Sequence, residues 1–163
     1  MLQKPQAYDR TCGSCTACCK TYSIAEIAKE AQTWCPDCAI GKGCRRYETR
    51  PAICREFWCL WLNGYGENDD CPDKLGVVQS IDIGALTPSN GITFMEFLPD
   101  ALQKPRVIER TKELVGDGII VYHVPISGRQ RVFMPANKTT ANLSVEYLAK
   151  QDPEIIQAVN SLE

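Results

Sequence analysis

Ten cysteines stand between Cys12 and Cys71, and the rest of the chain has none. The run opens as Cys12-x-x-Cys15-x-x-Cys18-Cys19 and continues through Cys35, Cys38, Cys44, Cys54 and Cys59. A thiolate is the form of cysteine that binds metal. Structural zinc takes four such ligands in a tetrahedron, and an iron–sulfur cube takes four, one for each iron. Cys-x-x-Cys lets one turn present two sulfurs to one ion, and Cys-x-x-Cys-x-x-Cys wraps three corners of a cube. Residues 12–18 therefore suit either metal. Adjacent side chains point apart, so Cys18 and Cys19 do not both serve one mononuclear ion. They reach two metals or one multinuclear cluster. Ten cysteines exceed one four-ligand site and suffice for two. The expectation is two neighbouring metal positions, holding about two zinc ions, with an iron–sulfur cluster as the alternative.

The rest of the composition bears on this reading. The start, Met1-Leu-Gln-Lys-Pro-Gln6, is polar and lacks the apolar core of a signal peptide. No apolar run is long enough to span a bilayer. The expected compartment is the cytoplasm, with no membrane partner. Thiols stay reduced there, which favours metal binding over disulfides. The 18 basic and 20 acidic residues nearly cancel, so no overall field points to nucleic acid or a membrane. Locally, Lys42, Arg45, Arg46, Arg50 and Arg55 outnumber Glu48 and Glu56. Those cations can offset the charge of about −2 on each zinc with four thiolates. The same arginine-rich block, interleaved with Tyr47 and Trp58, is also the pattern of a nucleic-acid patch. The near-neutral whole chain weighs against that reading.

The elements that must hold these cysteines follow from local signals. Residues 12–19 read as tight turns, their gaps filled by Gly13, Ser14, Thr16 and Ala17. Ser23 with Glu26 forms a capping box, which predicts a helix over 24–32. Cys35-Pro-Asp-Cys38 and Gly41-Lys-Gly-Cys44 are turns that can bend around an ion. Pro51 suits the first turn of a second helix, over about 51–62 and ended by Gly64. On a regular helix Cys54 and Cys59 lie about 140° apart. They would not share an ion unless the helix breaks, and Cys59 reads as an ordinary buried cysteine among Phe57, Trp58 and Trp61. Gly64 to Asp73 is a polar loop. From Leu75 the texture changes to strands at 77–83, 92–98, 119–124 and 130–134. A turn falls at 87–91 and a helix at 105–115. Ser144 caps a short helix, and Asp152-Pro153-Glu154 starts another. The expected fold is α+β: a cysteine-rich helical and loop half (12–75) packed on a small, mostly antiparallel sheet with helices (76–163), in one compact unit over 1–163.

The run Cys12-Gly-Ser-Cys15-Thr-Ala-Cys18-Cys19, followed by Gly43-Cys44-Arg-Arg-Tyr47-Glu-Thr-Arg50-Pro51-Ala-Ile-Cys54, resembles the YkgJ-like cysteine-cluster (CxxCxxCC) family. The resemblance covers about residues 12–75. It implies a zinc- or iron-chelating domain. A related cluster in the flagellin lysine N-methylases implies a role for an iron–sulfur cluster in electron transfer or protein modification. The family pattern maps onto Cys12, Cys15, Cys18, Cys19, Cys38, Cys44, Cys54 and Cys71, which makes these eight the implied metal ligands. Cys35 and Cys59 fall outside it. Tyr47, Arg50 and Pro51 read as packing, carbonyl-binding and helix-starting residues rather than catalysts.

The second half carries no Gly-rich nucleotide loop, no P-loop and no Ser/His/Asp set. The one histidine, His123, sits in an expected strand and reads as a packed core residue. No catalytic residue is assigned, and the enzyme question stays open. The sheet half is left as a surface for a protein partner that the sequence does not identify.

Overall fold

The computed structural model describes residues 10–81 and 91–157. Short elements build the cysteine-rich half. Helix α1 (Ala17–Thr21) carries Cys18 and Cys19. A short hairpin pairs the two-residue strands β1 (Cys38–Ala39) and β2 (Gly43–Cys44), setting Cys38 opposite Cys44. Its turn needs Gly41 and Gly43, both at positive φ, a region that glycine enters without steric cost. Helix α2 (Ala52–Glu56) follows Pro51 and contains Cys54. Helix α3 (Pro72–Leu75) follows Cys71. Helices of four or five residues are not stable alone, so tertiary contacts must hold all three.

Two expected helices are not formed as the sequence reads. In place of a helix over 24–32 the chain makes one 3₁₀ turn, Ala25–Ile27. It then folds back so that Ile24 pairs with Lys29. The reason lies in Glu26, whose carboxylate accepts from the backbone N–H of Ala52 at 3.1 Å. It thereby caps α2 instead of its own segment. The second helix ends at Glu56 rather than near 62, and Phe57 is extended. Beyond it the chain is tethered elsewhere: Leu60 N–H donates to the Gln79 carbonyl at 2.8 Å. The loop 64–73 also holds more order than expected, in a 3₁₀ turn at Asn68–Asp70 and the start of α3.

The second half is a five-stranded sheet in the order β3-β4-β5-β6-β7. The strands are β3 (Val77–Ile81), β4 (Gly91–Glu96), β5 (Ile120–Val124), β6 (Arg131–Met134) and β7 (Glu154–Gln157). The fold is α+β, as expected. The sheet is mixed rather than mostly antiparallel: β3–β4 and β5–β6 are antiparallel, β4–β5 and β6–β7 parallel. A helix between consecutive strands returns the chain in the same direction. Helix α4 (Pro105–Gly116) does this between β4 and β5, and α5 (Val145–Gln151) between β6 and β7. The helix expected from Asp152 is instead strand β7, with Ile155 beside Val132 and Ile156 beside Phe133. Four residues are too few for periodicity to separate the two states. Residues 82–83 of the first expected strand, and most of the expected turn at 87–91, lie outside the described residues.

Each face of the sheet is covered. On one, Val77, Phe94, Val121 and Phe133 pack with Val107, Leu114 and Val115 of α4. On the other, α5 supplies Tyr147 against Tyr122 and Met134. The cysteine-rich half covers the rest of that face, where Ala17, Cys59 and Leu62 meet Val78, Met95 and Val124. His123 is buried on the α4 face, between Phe94 and Phe133. The Thr111 hydroxyl donates to the Val107 carbonyl, so the His123 Nε2–H donates to Thr111 Oγ1 at 2.8 Å. It is a core histidine, as its strand position implied.

Candidate metal centre

The thiols can be divided into two neighbouring groups, which adjoin where Cys19 acts on Cys12. The first joins Cys12, Cys15, Cys59 and Cys71. The turn at Cys12–Cys15 closes through Cys15 N–H to the Cys12 carbonyl at 2.8 Å. Cys12 and Cys15 pack against the buried apolar cluster that contains Cys59. Cys15, Cys71 and Asp73 bring their ligand atoms within 4.8 Å of one another. Among the described residues this is the one group of three with donors so close. The Cys71 thiol donates to the Asp73 carboxylate.

The second group is Cys18, Cys19, Cys35, Cys38, Cys44 and Cys54. Cys35 N–H donates to the Cys19 carbonyl, and Cys38 N–H to the Cys35 carbonyl, both at 3.0 Å. The hairpin adds Cys44 opposite Cys38. The Cys19 thiol adjoins those of Cys18 and Cys38 and interacts electrostatically with both. Cys54 lies within electrostatic reach of Cys19, Cys35 and Cys44. The Thr16 hydroxyl donates to the Cys38 sulfur and accepts from Gly41 N–H, which ties the first turn to the hairpin.

All these cysteines except Cys38 line one cavity of about 670 Å³. Tyr22, Phe57, Trp58 and Trp61 complete much of its apolar wall. Burial, with the neighbouring thiols as a further cause, raises the pKa of Cys12 and Cys54. Cys38 and Cys59 are pushed up to about 11, mainly by burial. Cys19 is raised first by its hydrogen bond to Cys18. Cys71 is raised by burial and then by Asp73. Crowded thiols in a partly dry pocket resist ionising together. A divalent cation removes that resistance, because a coordinated thiol is deprotonated outright.

Two cations face the sulfurs. Lys29 is only 6% exposed. Its ammonium donates to the carbonyls of Lys20 and Glu30 at 3.0 Å each, and to that of Tyr22. Burial lowers its pKa, while Cys35, Cys19, Cys18 and Cys54 act in the opposite sense. Arg50 is near both groups, since it acts on Cys12 and on Cys54. Its guanidinium lies 3.8 Å from the centre of the Tyr47 ring and donates to the Tyr47 and Cys54 carbonyls. Tyr47 itself is 50% exposed, so it stacks on Arg50 rather than packing inside.

Of the eight cysteines implied by the resemblance, seven line the cavity and Cys38 reaches its edge through the hairpin, while Cys35 and Cys59 line it as well. Cys35 carries a sequence signal, its Cys-x-x-Cys spacing to Cys38. Cys59 carries none, because its position follows from the early end of α2. Lys29 and Asp73 also reach the site without any spacing signal.

Taken together, fold and site define an α+β protein with a thiol-lined cavity under one face of its sheet. No protein-family model, curated protein or solved structure matches this chain. Among the described residues no helix is long and apolar enough to cross a membrane.

Proposed function

We propose that this chain is a zinc-binding protein whose two thiol groups form metal centres, about two in number, with a structural role. The observation that carries the reading is the single cavity lined by every cysteine but Cys38. Cysteines so gathered supply enough sulfur for closed tetrahedral sites, and such sites leave no open position for chemistry. Bound zinc supplies strong cross-links between loops. The chain's own residues do the rest. The turn at 12–15, α1, the β1–β2 hairpin and α2 present the sulfurs, and Lys29 and Arg50 offset their charge. The sheet half is then the surface for a protein partner. Folding and site formation are coupled in such modules, so metal holds the short helices in place.

An iron–sulfur reading, with a role in electron transfer or protein modification, draws support from the Cys12, Cys15, Cys18 spacing. The nucleic-acid reading draws less, because three of the four arginines in the block have partners within the chain. Arg45 donates to the Pro36 carbonyl, Arg46 to Asp37 and Arg50 to two carbonyls. Metal and acid-labile sulfide content of anaerobically purified protein tests the proposal. Zinc without sulfide is expected. Iron matched by sulfide, or no bound metal, overturns it.

A further inference from the structure

The two groups differ in size, and the difference has a chemical consequence. The first brings Cys15 and Cys71 together with Asp73 and packs Cys12 and Cys59 beside them, four sulfurs being the number that one tetrahedral zinc takes. The second offers six, and three features bind them into one unit. Cys18 and Cys19 are adjacent in α1, both line the cavity and both lie within electrostatic reach of the Lys29 ammonium, which places them in one assembly. The backbone ties of Cys35 to Cys19 and of Cys38 to Cys35, with the Cys38–Cys44 register, fix four of the six in one continuous frame. Cys18, Cys19, Cys35, Cys44 and Cys54 all face the same cavity. No three of these sulfurs are within 4.8 Å of one another. They do not converge on one four-ligand point.

One zinc takes four sulfurs and would leave two of the six unused. A cube of iron and sulfide would also take four. Two zinc ions need eight zinc–sulfur bonds. Six thiolates supply eight when two of them bridge both ions. Resting on the zinc reading above, we infer that Cys18, Cys19, Cys35, Cys38, Cys44 and Cys54 form a binuclear thiolate centre with two bridging sulfurs, so that the chain holds three zinc ions in all. The charge arrangement agrees. Six thiolates around two divalent ions leave a net −2, and the buried Lys29 ammonium stands beside this group rather than the four-sulfur one. Cys35 and Cys59, which lie outside the family pattern, each complete one of the two centres.

The test uses the intact chain loaded with cadmium-113 in place of zinc. The expected result is three cadmium ions per chain and three cadmium resonances. Two of these are split by coupling to each other through a shared sulfur, and the third is unsplit. Zinc content of the native protein should also be three per chain. Two metals per chain, or three without metal–metal coupling, overturns the binuclear centre and leaves the zinc reading intact. Iron with matched sulfide, or no metal at all, overturns both. A Cys59→Ser chain adds a separate check, since it should lose the unsplit resonance and keep the coupled pair. Loss of the coupled pair with retention of the single resonance contradicts the assignment.

Discussion

Replacing Asp70 by asparagine probes the join between the cysteine-rich half and α4. The Asp70 side chain is 2% exposed and its carboxylate accepts two hydrogen bonds from Arg106, at 2.7 and 2.8 Å. It also accepts from Glu67 N–H at 2.9 Å. Arg106 is 34% exposed and keeps Glu109 at 2.7 Å as a second partner. Removing one partner of a fully buried pair costs about 3–5 kcal/mol, whereas an exposed pair contributes below about 1 kcal/mol. With one group buried and the other a third exposed, the expected loss is about 2 kcal/mol. For a urea dependence of about 2 kcal/mol/M, that moves the unfolding midpoint of metal-loaded protein down by about 1 M at pH 7. The pH dependence is signed. Hydrogen bonding to Arg106, above all, holds the Asp70 carboxyl below its ordinary value. Its contribution is therefore fully present above about pH 4 and is lost as pH falls through the depressed folded value. The gap between wild type and Asp70→Asn should be constant at neutral pH and close in acid. Sulfur protonation in acid affects both chains alike and drops out of the difference. A midpoint shift under about 0.3 M would refute the argument that this pair is buried enough to matter.

Other consequences are as direct. Burial first, and Arg131 second, push His123 down to about 3. Below about pH 6.5 the unfolded chain takes up a proton that the folded one refuses. Wild type should then lose about 1.4 kcal/mol per pH unit relative to His123→Gln, down to about pH 3; parallel stability curves from urea unfolding would contradict a buried neutral histidine. A Cβ at Gly91 would stand 2.3 Å from the Ile120 carbonyl oxygen and 2.7 Å from the Tyr122 ring. Gly91→Ala should therefore destabilise by at least about 1–3 kcal/mol, read as a melting temperature several degrees lower. An unchanged melting temperature would deny the close approach of β4 to β5. Asp73 sits with Cys15 and Cys71, but the proposed four-sulfur set takes Cys12 and Cys59 in its place. Metal analysis should find Asp73→Asn fully loaded and Cys59→Ser short of one ion, and the reverse pattern would make Asp73 a ligand.

Much of this was readable from residue types and spacing, and the exceptions share one cause. The 3.6-residue period of 105–115 marked α4, because Val107, Thr111, Leu114 and Val115 do form its buried face. The strand readings at 119–124 and 130–134 matched β5 and β6, and Ser144 marked the cap of α5, where its hydroxyl oxygen accepts from Tyr147 N–H. The failures arose where a side chain or the backbone serves a distant segment. Glu26 completed a local capping pattern yet caps α2. The apolar run after Phe57 looked helical yet follows β3, through Leu60 and Gln79. The parallel pairing of β6 with β7 depends on α5 turning the chain around, which a four-residue strand cannot announce. At the candidate site, the Cys-x-x-Cys spacings pointed to the cysteines that share turns. Which cysteines meet across the fold depends on tertiary contacts. For that reason Cys59 came into view beside Cys12 and Cys15 only once the folded chain was described.

Hydrogen exchange on the chain before and after metal removal tests the claim that metal binding organises the cysteine-rich half. Stripping with a strong chelator under reducing conditions should collapse amide protection in α1, the β1–β2 hairpin, α2 and α3. Strands β4 to β6, held by their own apolar clusters, should stay protected longer, and added zinc should restore the rest. Protection in the cysteine-rich half that is the same with and without metal would contradict the account.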